Sequence, residues 1–200
     1  MFQHLRPALV MVTVFTLLTG LAYPLAVTAV SQVVFPGGAS GSLIVKDGKV
    51  IGSTLIGQAF KSDGYFQPRP SATTAADPQD DTKTVDAPYN AAASAGSNLG
   101  PITQKLLDRV KGDVETLRTA GISGPIPVDA VTTSASGLDP HIAPETAFLQ
   151  VSRVAKARGL AEDRVRALVT AHIEGRALGL LGEPRVNVLR LNLALDALKR

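Results

Sequence analysis

The chain has 200 residues, a formal net charge of +3, 45% hydrophobic and 18% charged residues, three histidines and no cysteine. Without cysteine a disulfide framework and a thiolate metal site are excluded, so any soluble part must stand on its own core. Basic residues alternate with acidic ones, as in "KLLDRVKGDVETLR" and "RVAKARGLAEDRVR", which is the pattern of solvated helix faces and argues against nucleic acid as a partner.

From Pro7 to Val45 no residue is charged, and the first 29 of these positions are overwhelmingly apolar. As a helix they would extend roughly 43 Å, against about 30 Å for a bilayer core, so residues 1–35 are expected to form a single transmembrane helix embedded in the lipid bilayer. Arg6 lies on the short N-terminal side, whereas Lys46 and Asp47 are the first charges beyond the span. This places the N-terminus in the cytoplasm and residues 36–200 outside, in the periplasm or extracellular space, of an inner (plasma) membrane. A cleaved signal peptide is the rival reading, with Val27 and Ala29 as its small-residue pattern. The apolar run is about twice the length of a signal core, and no polar stretch precedes Ala29, so we read an anchor. Thr13, Thr16, Thr19 and Gly20 offer a small-residue face for packing against a neighbouring helix, and Pro24 is expected to kink the span.

Beyond "PGGASGS", the run "LIVKDGKVIGS" reads as a hairpin turning at Asp47-Gly48, because the tight turn needs positive φ, which glycine accepts. Residues 68–100 are poor in bulky apolar side chains and carry four prolines; they are read as one long loop. A helix is predicted from Pro101 to about Gly121 with Ile102, Leu106, Val110, Val114 and Leu117 as its apolar stripe. A second runs from Pro144 to Gly159, and a third over 162–174 with Val165, Leu168, Val169 and His172 on one face. The last follows Asn187 as its cap. The fold class is α+β: a transmembrane helix, then a helix-rich extracytoplasmic domain with a small hairpin or sheet.

The segment "SASGLDPHIAPETA" places Ser136, Asp139 and His141 within six residues. A nucleophile, base and orienting acid normally come from distant parts of a chain, and no G-x-S-x-G elbow is present. The alternative is a stiff corner in which Asp139 caps a turn, Pro140 follows it and Pro144 starts a helix. "HIEG" at 172–175 is no H-E-x-x-H, and neither common phosphate-binding glycine motif occurs. No catalytic residue and no metal ligand is therefore assigned. Tyr65, Phe66 and Arg69 are of the kinds that anchor interfaces, although turn chemistry and local packing explain such clusters equally well.

The clusters "GSTLIGQAF", "YFQPRPSA", "GSNLGP", "PVDAVTTSASGLDPHIAPETAFLQVSRVAKARG" and "HIEGRALGLLGEPRVNVLRLNLALD", in this order, closely resemble the KdpC family, small subunits of the bacterial Kdp high-affinity potassium-transporting P-type ATPase. The resemblance runs from the span to near the C-terminus. Ala95 and Ala135 stand where the family tends to glycine, and Ile173 where threonine is common. It implies a non-catalytic accessory subunit, needed for assembly and activity and described as a catalytic chaperone that raises the ATP affinity of the ATPase subunit. The implied partners are the potassium-conducting KdpA, the ATPase subunit KdpB and the small KdpF. The complex would use ATP and magnesium and carry potassium, with no cofactor in this chain. No D-K-T-G phosphorylation motif is present. Gln58, Tyr65, Phe66, Arg69, Ser71, Asn98, Asp139 and His141 are the candidate family-motif or partner-interface residues. A membrane-anchored hydrolase or a ligand-binding module unrelated to the pump remains the alternative.

Overall fold

A computed structural model describes residues 2–198. The chain divides into two compact units, Met1–Ser53 and Thr54–Arg200.

The first unit is governed by its apolar run. A 30-residue helical rod, Leu5–Val34, is long and apolar enough to cross a membrane, and none of it is buried within the chain. It consists of α1 (Leu5–Leu17), a π-helical turn (Leu18–Ala22) and α2 (Tyr23–Val34). The π-turn lies where the Pro24 ring lacks an N–H and would crowd the carbonyl of Gly20; a widened turn relieves that conflict. Thr13 Oγ1 and Thr19 Oγ1 donate to the carbonyls four residues back, at 2.8 and 2.6 Å, so neither hydroxyl is left without a partner in an apolar setting. After the short helical turn α3 (Pro36–Ala39), β1 (Leu43–Lys46) and β2 (Lys49–Ser53) form the expected antiparallel hairpin. Asp47 and Gly48 both take positive φ, 52° and 74°, as a two-residue hairpin turn requires.

The second unit buries its own core. β5 (His141–Ile142), β6 (Ile173–Glu174) and β7 (Arg185–Asn187) make an antiparallel sheet in the order β5-β7-β6, and α5 (Pro144–Arg158), α6 (Glu162–Ala171) and α7 (Val188–Ala197) pack around it. Helical spacing selects the buried positions: Ala147, Val151, Val154 and Ala155 on α5, Val165 and Val169 on α6, Leu191 and Leu195 on α7, with Phe66, Ile142 and Val186 completing the cluster. Burying one such aliphatic side chain contributes roughly 1.5–3 kcal/mol. β7 runs directly into α7 because Asn187 Oδ1 accepts the Arg190 N–H at 3.1 Å, the predicted cap.

Three expectations change. Residues 68–100 are not one loop: β3 (Thr74–Asp77) and β4 (Asp80–Asp86) pair antiparallel within them. This hairpin is mostly exposed and lacks bulky apolar alternation, so its signal is confined to the turn, where Asp77 Oδ1 accepts the Gln79 N–H at 2.8 Å across Pro78. α4 (Gln104–Thr119) starts three residues after Pro101, and Ile102 is 91% exposed in the preceding turn. Leu106, Val110, Val114 and Leu117 are only half-buried, so this helix is attached at the periphery of the unit. The third predicted helix stops at Ala171, because the His172 Nδ1–H donates to the Leu168 carbonyl at 2.8 Å and Ile173 turns into the sheet. His172 is thus the half-buried C-cap of this helix and not one of its interior positions.

Candidate functional site

Of the residues that the sequence singles out, Tyr65, Phe66, Arg69, Ser71, Asp139 and His141 converge in two places, and both are occupied with holding the chain to itself. The first is the stretch at 64–69, which threads between α5 and α7. Phe66 is fully buried, and its N–H and C=O are both bound by the buried amide of Asn192, at 2.9 Å each. The next residue is held the same way: Gln150 accepts the Gln67 N–H at 2.7 Å and donates to its carbonyl at 3.0 Å. Arg153 donates to the Tyr65 carbonyl at 3.1 Å, and Arg158 donates to the Gly64 carbonyl at 2.6 Å while stacking 4.5 Å over the Tyr65 ring. An extended segment with no sheet partner has orphan backbone groups, and these four side chains satisfy them. Phe66 is therefore a core anchor that a partner cannot reach. Tyr65 is half-buried, its hydroxyl donating to Asp196 at 3.2 Å.

The second place is the corner at 134–144. The Arg69 fork donates to Asp139 Oδ2 at 3.0 Å and to the Thr132 and Thr133 carbonyls at 3.4 Å each. Asp139 Oδ1 accepts the His141 backbone N–H at 3.0 Å across Pro140, and the His141 ring Nδ1 lies 3.4 Å from the same oxygen. On its other side, His141 Nε2 is 4.0 Å from Glu174, which also pairs with Arg185 at 3.1 Å and Arg190 at 3.5 Å. A run of polar contacts thus leads from Arg69 through Asp139, His141 and Glu174 across the sheet to α7. Burial would raise the Asp139 carboxyl, but the hydrogen bonds from the His141 side chain and backbone, with the charges of Arg69 and His141, outweigh it and hold Asp139 below the ordinary carboxylate value.

Ser71 closes the corner from the irregular segment before β3. Its hydroxyl donates to the Gly137 carbonyl at 2.7 Å and accepts the Tyr89 N–H at 3.0 Å, while the Tyr89 hydroxyl donates to the Arg69 carbonyl at 2.8 Å. Burial, reinforced by the Asp139 charge against a smaller opposing effect of Arg69, pushes the Tyr89 phenol well above its usual range, so it stays a donor. The Gly57 N–H donates to the Leu138 carbonyl at 2.8 Å, an approach so close that a Cβ there would meet the Tyr89 ring and lie 2.8 Å from the Asp139 carbonyl. Ala95 and Ala135 fall at another tight crossing, where the Ala95 N–H donates to the Ser136 carbonyl at 3.0 Å and Gly96 packs on Ala135. Gln58 is half-buried beside Gly57, and Asn98 is exposed with φ +50°.

Asp129, which no sequence motif marks, caps α5 from a distance. Its carboxylate accepts the Ala143 N–H at 2.7 Å and the Thr146 hydroxyl at 2.6 Å. Asn192 and Gln150 carry no sequence mark either; no local spacing announces a side chain whose partner is 126 or 83 residues away.

Chemically this is an architectural joint. Ser136 Oγ accepts the Leu138 N–H at 3.1 Å, and His141 faces two carboxylates instead of a hydroxyl, so the nucleophile–base contact of acyl transfer is not formed. Among the described residues no three His, Asp or Glu side chains are grouped to hold a cation. An open cleft of about 600 Å³, lined by Leu55, Ile56, Arg69, Leu138, Asp139 and Pro140 among others, lies over the corner.

A scan against family models matches residues 5–197 to "KdpC: K+-transporting ATPase, c chain". The chain belongs to the KdpC family. A protein of Rhodopseudomonas palustris named "Potassium-transporting ATPase KdpC subunit" is 66% identical over 199 residues, covering 100% of both chains. One of the same name from Methylobacterium nodulans is 63% identical over 198 residues, 99% of this chain and 98% of the relative. Another from Bradyrhizobium diazoefficiens is 62% identical over 196 residues, 98% of each. The resemblance seen in the sequence blocks is thus borne out across the chain, and the joint described above belongs to a KdpC fold.

Proposed function

We propose that the chain is the non-catalytic accessory subunit of a potassium-transporting ATPase complex, needed for its assembly and activity. The observation that carries this reading is the family match, which takes in both the apolar rod and the second unit. In this reading the rod crosses the inner membrane with the N-terminus in the cytoplasm, and the second unit lies outside. Thr16 and Gly20 face a neighbouring helix of the complex. The second unit docks on the outer face of the potassium-conducting KdpA subunit. Binding and hydrolysis of ATP with magnesium belong to KdpB, and KdpF completes the assembly.

A raised ATP affinity then needs no contact between this unit and nucleotide. A subunit that binds the ATP-ready arrangement of its partners more tightly than the other arrangements shifts that equilibrium by its differential affinity, and reciprocity requires ATP to tighten its own docking. Purification of the tagged chain in mild detergent from cells expressing the whole operon tests the reading. Recovery of the other subunits with potassium-stimulated ATPase activity is the expected result, and recovery of the chain alone would refute it. An external protease on intact cells tests the topology: residues 40–200 are cut if they lie outside and protected if the orientation is reversed.

A further inference from the structure

β6 and β7 are antiparallel neighbours that a two-residue turn could join, yet ten residues, 175–184, connect them. The loop is built and closed. Arg176 pairs with Glu183 at 2.6 Å across its base, and the Ala177 N–H and Leu181 N–H each donate to the other residue's carbonyl, at 2.8 and 2.9 Å. At the tip Leu178 adopts φ +54°, a conformation unfavourable for a leucine. The three leucines of this loop face solvent, with Leu178 91%, Leu180 80% and Leu181 66% exposed. Leu191 and Leu195, a short way along the chain, are fully buried. Among the described residues no side chain covers these leucines, so the loop is shaped for something outside it.

We propose that this loop is a docking knob that seats Leu178 and Leu180 in an apolar socket with an acidic rim, on another protein subunit of the transporter. The inference rests on the accessory-subunit reading above. Charge bounds the socket: at the base of the knob Arg176 pairs with Glu183, and Arg185 and Arg190 share Glu174, leaving one positive charge in excess. An apolar centre within a rim of mixed charges is the anatomy of a protein interface, where the rim excludes water from the anchors. A bilayer fits less well. The loop has no aromatic residue and no unbalanced basic cluster of its own, and insertion would carry the Glu183 carboxylate toward anionic headgroups. Burying each leucine is worth about tenfold or more in affinity.

The test uses the full chain in membranes that carry the whole transporter. A photocrosslinking amino acid in place of Leu178 is expected to form an adduct with another transporter subunit. Leu180→Asp is expected to reduce recovery of those subunits at least about tenfold, with Leu178→Ser as a milder second variant and an unchanged proteolysis pattern showing that the fold persists. Adducts with lipid alone, adducts with a second copy of the chain, or undiminished recovery of partners by both variants would overturn the knob. If the unaltered chain recovers no partner subunit, the accessory-subunit reading falls and this inference falls with it. If the unaltered chain recovers partners and the variants do so equally, only the knob is wrong.

Discussion

The corner at 134–144 and the loop at 175–184 are both rich in turns, yet they spend their side chains in opposite ways. In the corner, Arg69, Ser71, Asp139 and His141 all close on groups of the same chain. In the loop the ion pair and the β-bridge close only the base, and the leucines at the tip close on nothing within it. Polar residues that look functional in a sequence are here the internal fastening, whereas an unremarkable "LGLL" supplies the outward face. Stability should therefore respond to the first region, and partner recovery to the second.

The largest loss of stability is expected at the segment that feeds the corner. Phe66→Ala removes a fully buried ring, and such truncations cost about 3–5 kcal/mol. Pulse proteolysis of the full chain across a urea series, in mild detergent, measures it. A loss below about 1 kcal/mol would mean that Phe66 is not part of the core. Next comes Arg69→Lys. Four acceptors are met by a planar fork that an ammonium cannot reproduce, so a loss of about 1–3 kcal/mol is expected even though the charge is kept. Full recovery by lysine would reduce the Arg69 contact to simple charge pairing.

A third test uses pH. Asp139 is held below its ordinary value in the folded chain, so the stability it contributes is fully present above its unfolded value, about 4, and is lost as pH falls through the depressed folded value. Asp139→Asn, measured over the same acid range, should lower stability at neutral pH and flatten the acid limb of the profile. A variant with an acid limb as steep as that of the unaltered chain would assign that limb to other carboxylates.

Much of this organisation is legible from local chemistry. Asp47-Gly48 announces its hairpin through the φ values the turn requires, Asn187 its helix through the orphan N–H it caps, and Pro140 with Pro144 the stiffness of the corner. What is illegible is long-range or energetically faint. The 74–86 hairpin buries little and so leaves no apolar alternation to read. Ile102 fits the helical stripe in spacing but lies outside the helix. Asp129, Gln150 and Asn192 satisfy backbone groups 14, 83 and 126 residues away, a distance at which only the fold brings them together.

The smallest expected effect is also the one that separates the two regions most sharply. Leu178→Ala and Leu180→Ala remove side chains that are mostly in water already, so each should change folding stability by no more than about 0.5 kcal/mol in the same urea series. Fitting a large apolar group to water has no reward in the isolated chain, and removing it therefore has almost no penalty there. If either variant instead lost 2 kcal/mol or more, the leucine would have to be packed against its own chain, and the loop would be fastened like the corner. A near-zero change combined with reduced partner recovery would show the reverse: stability residing in the polar joint, and recognition in the exposed leucines.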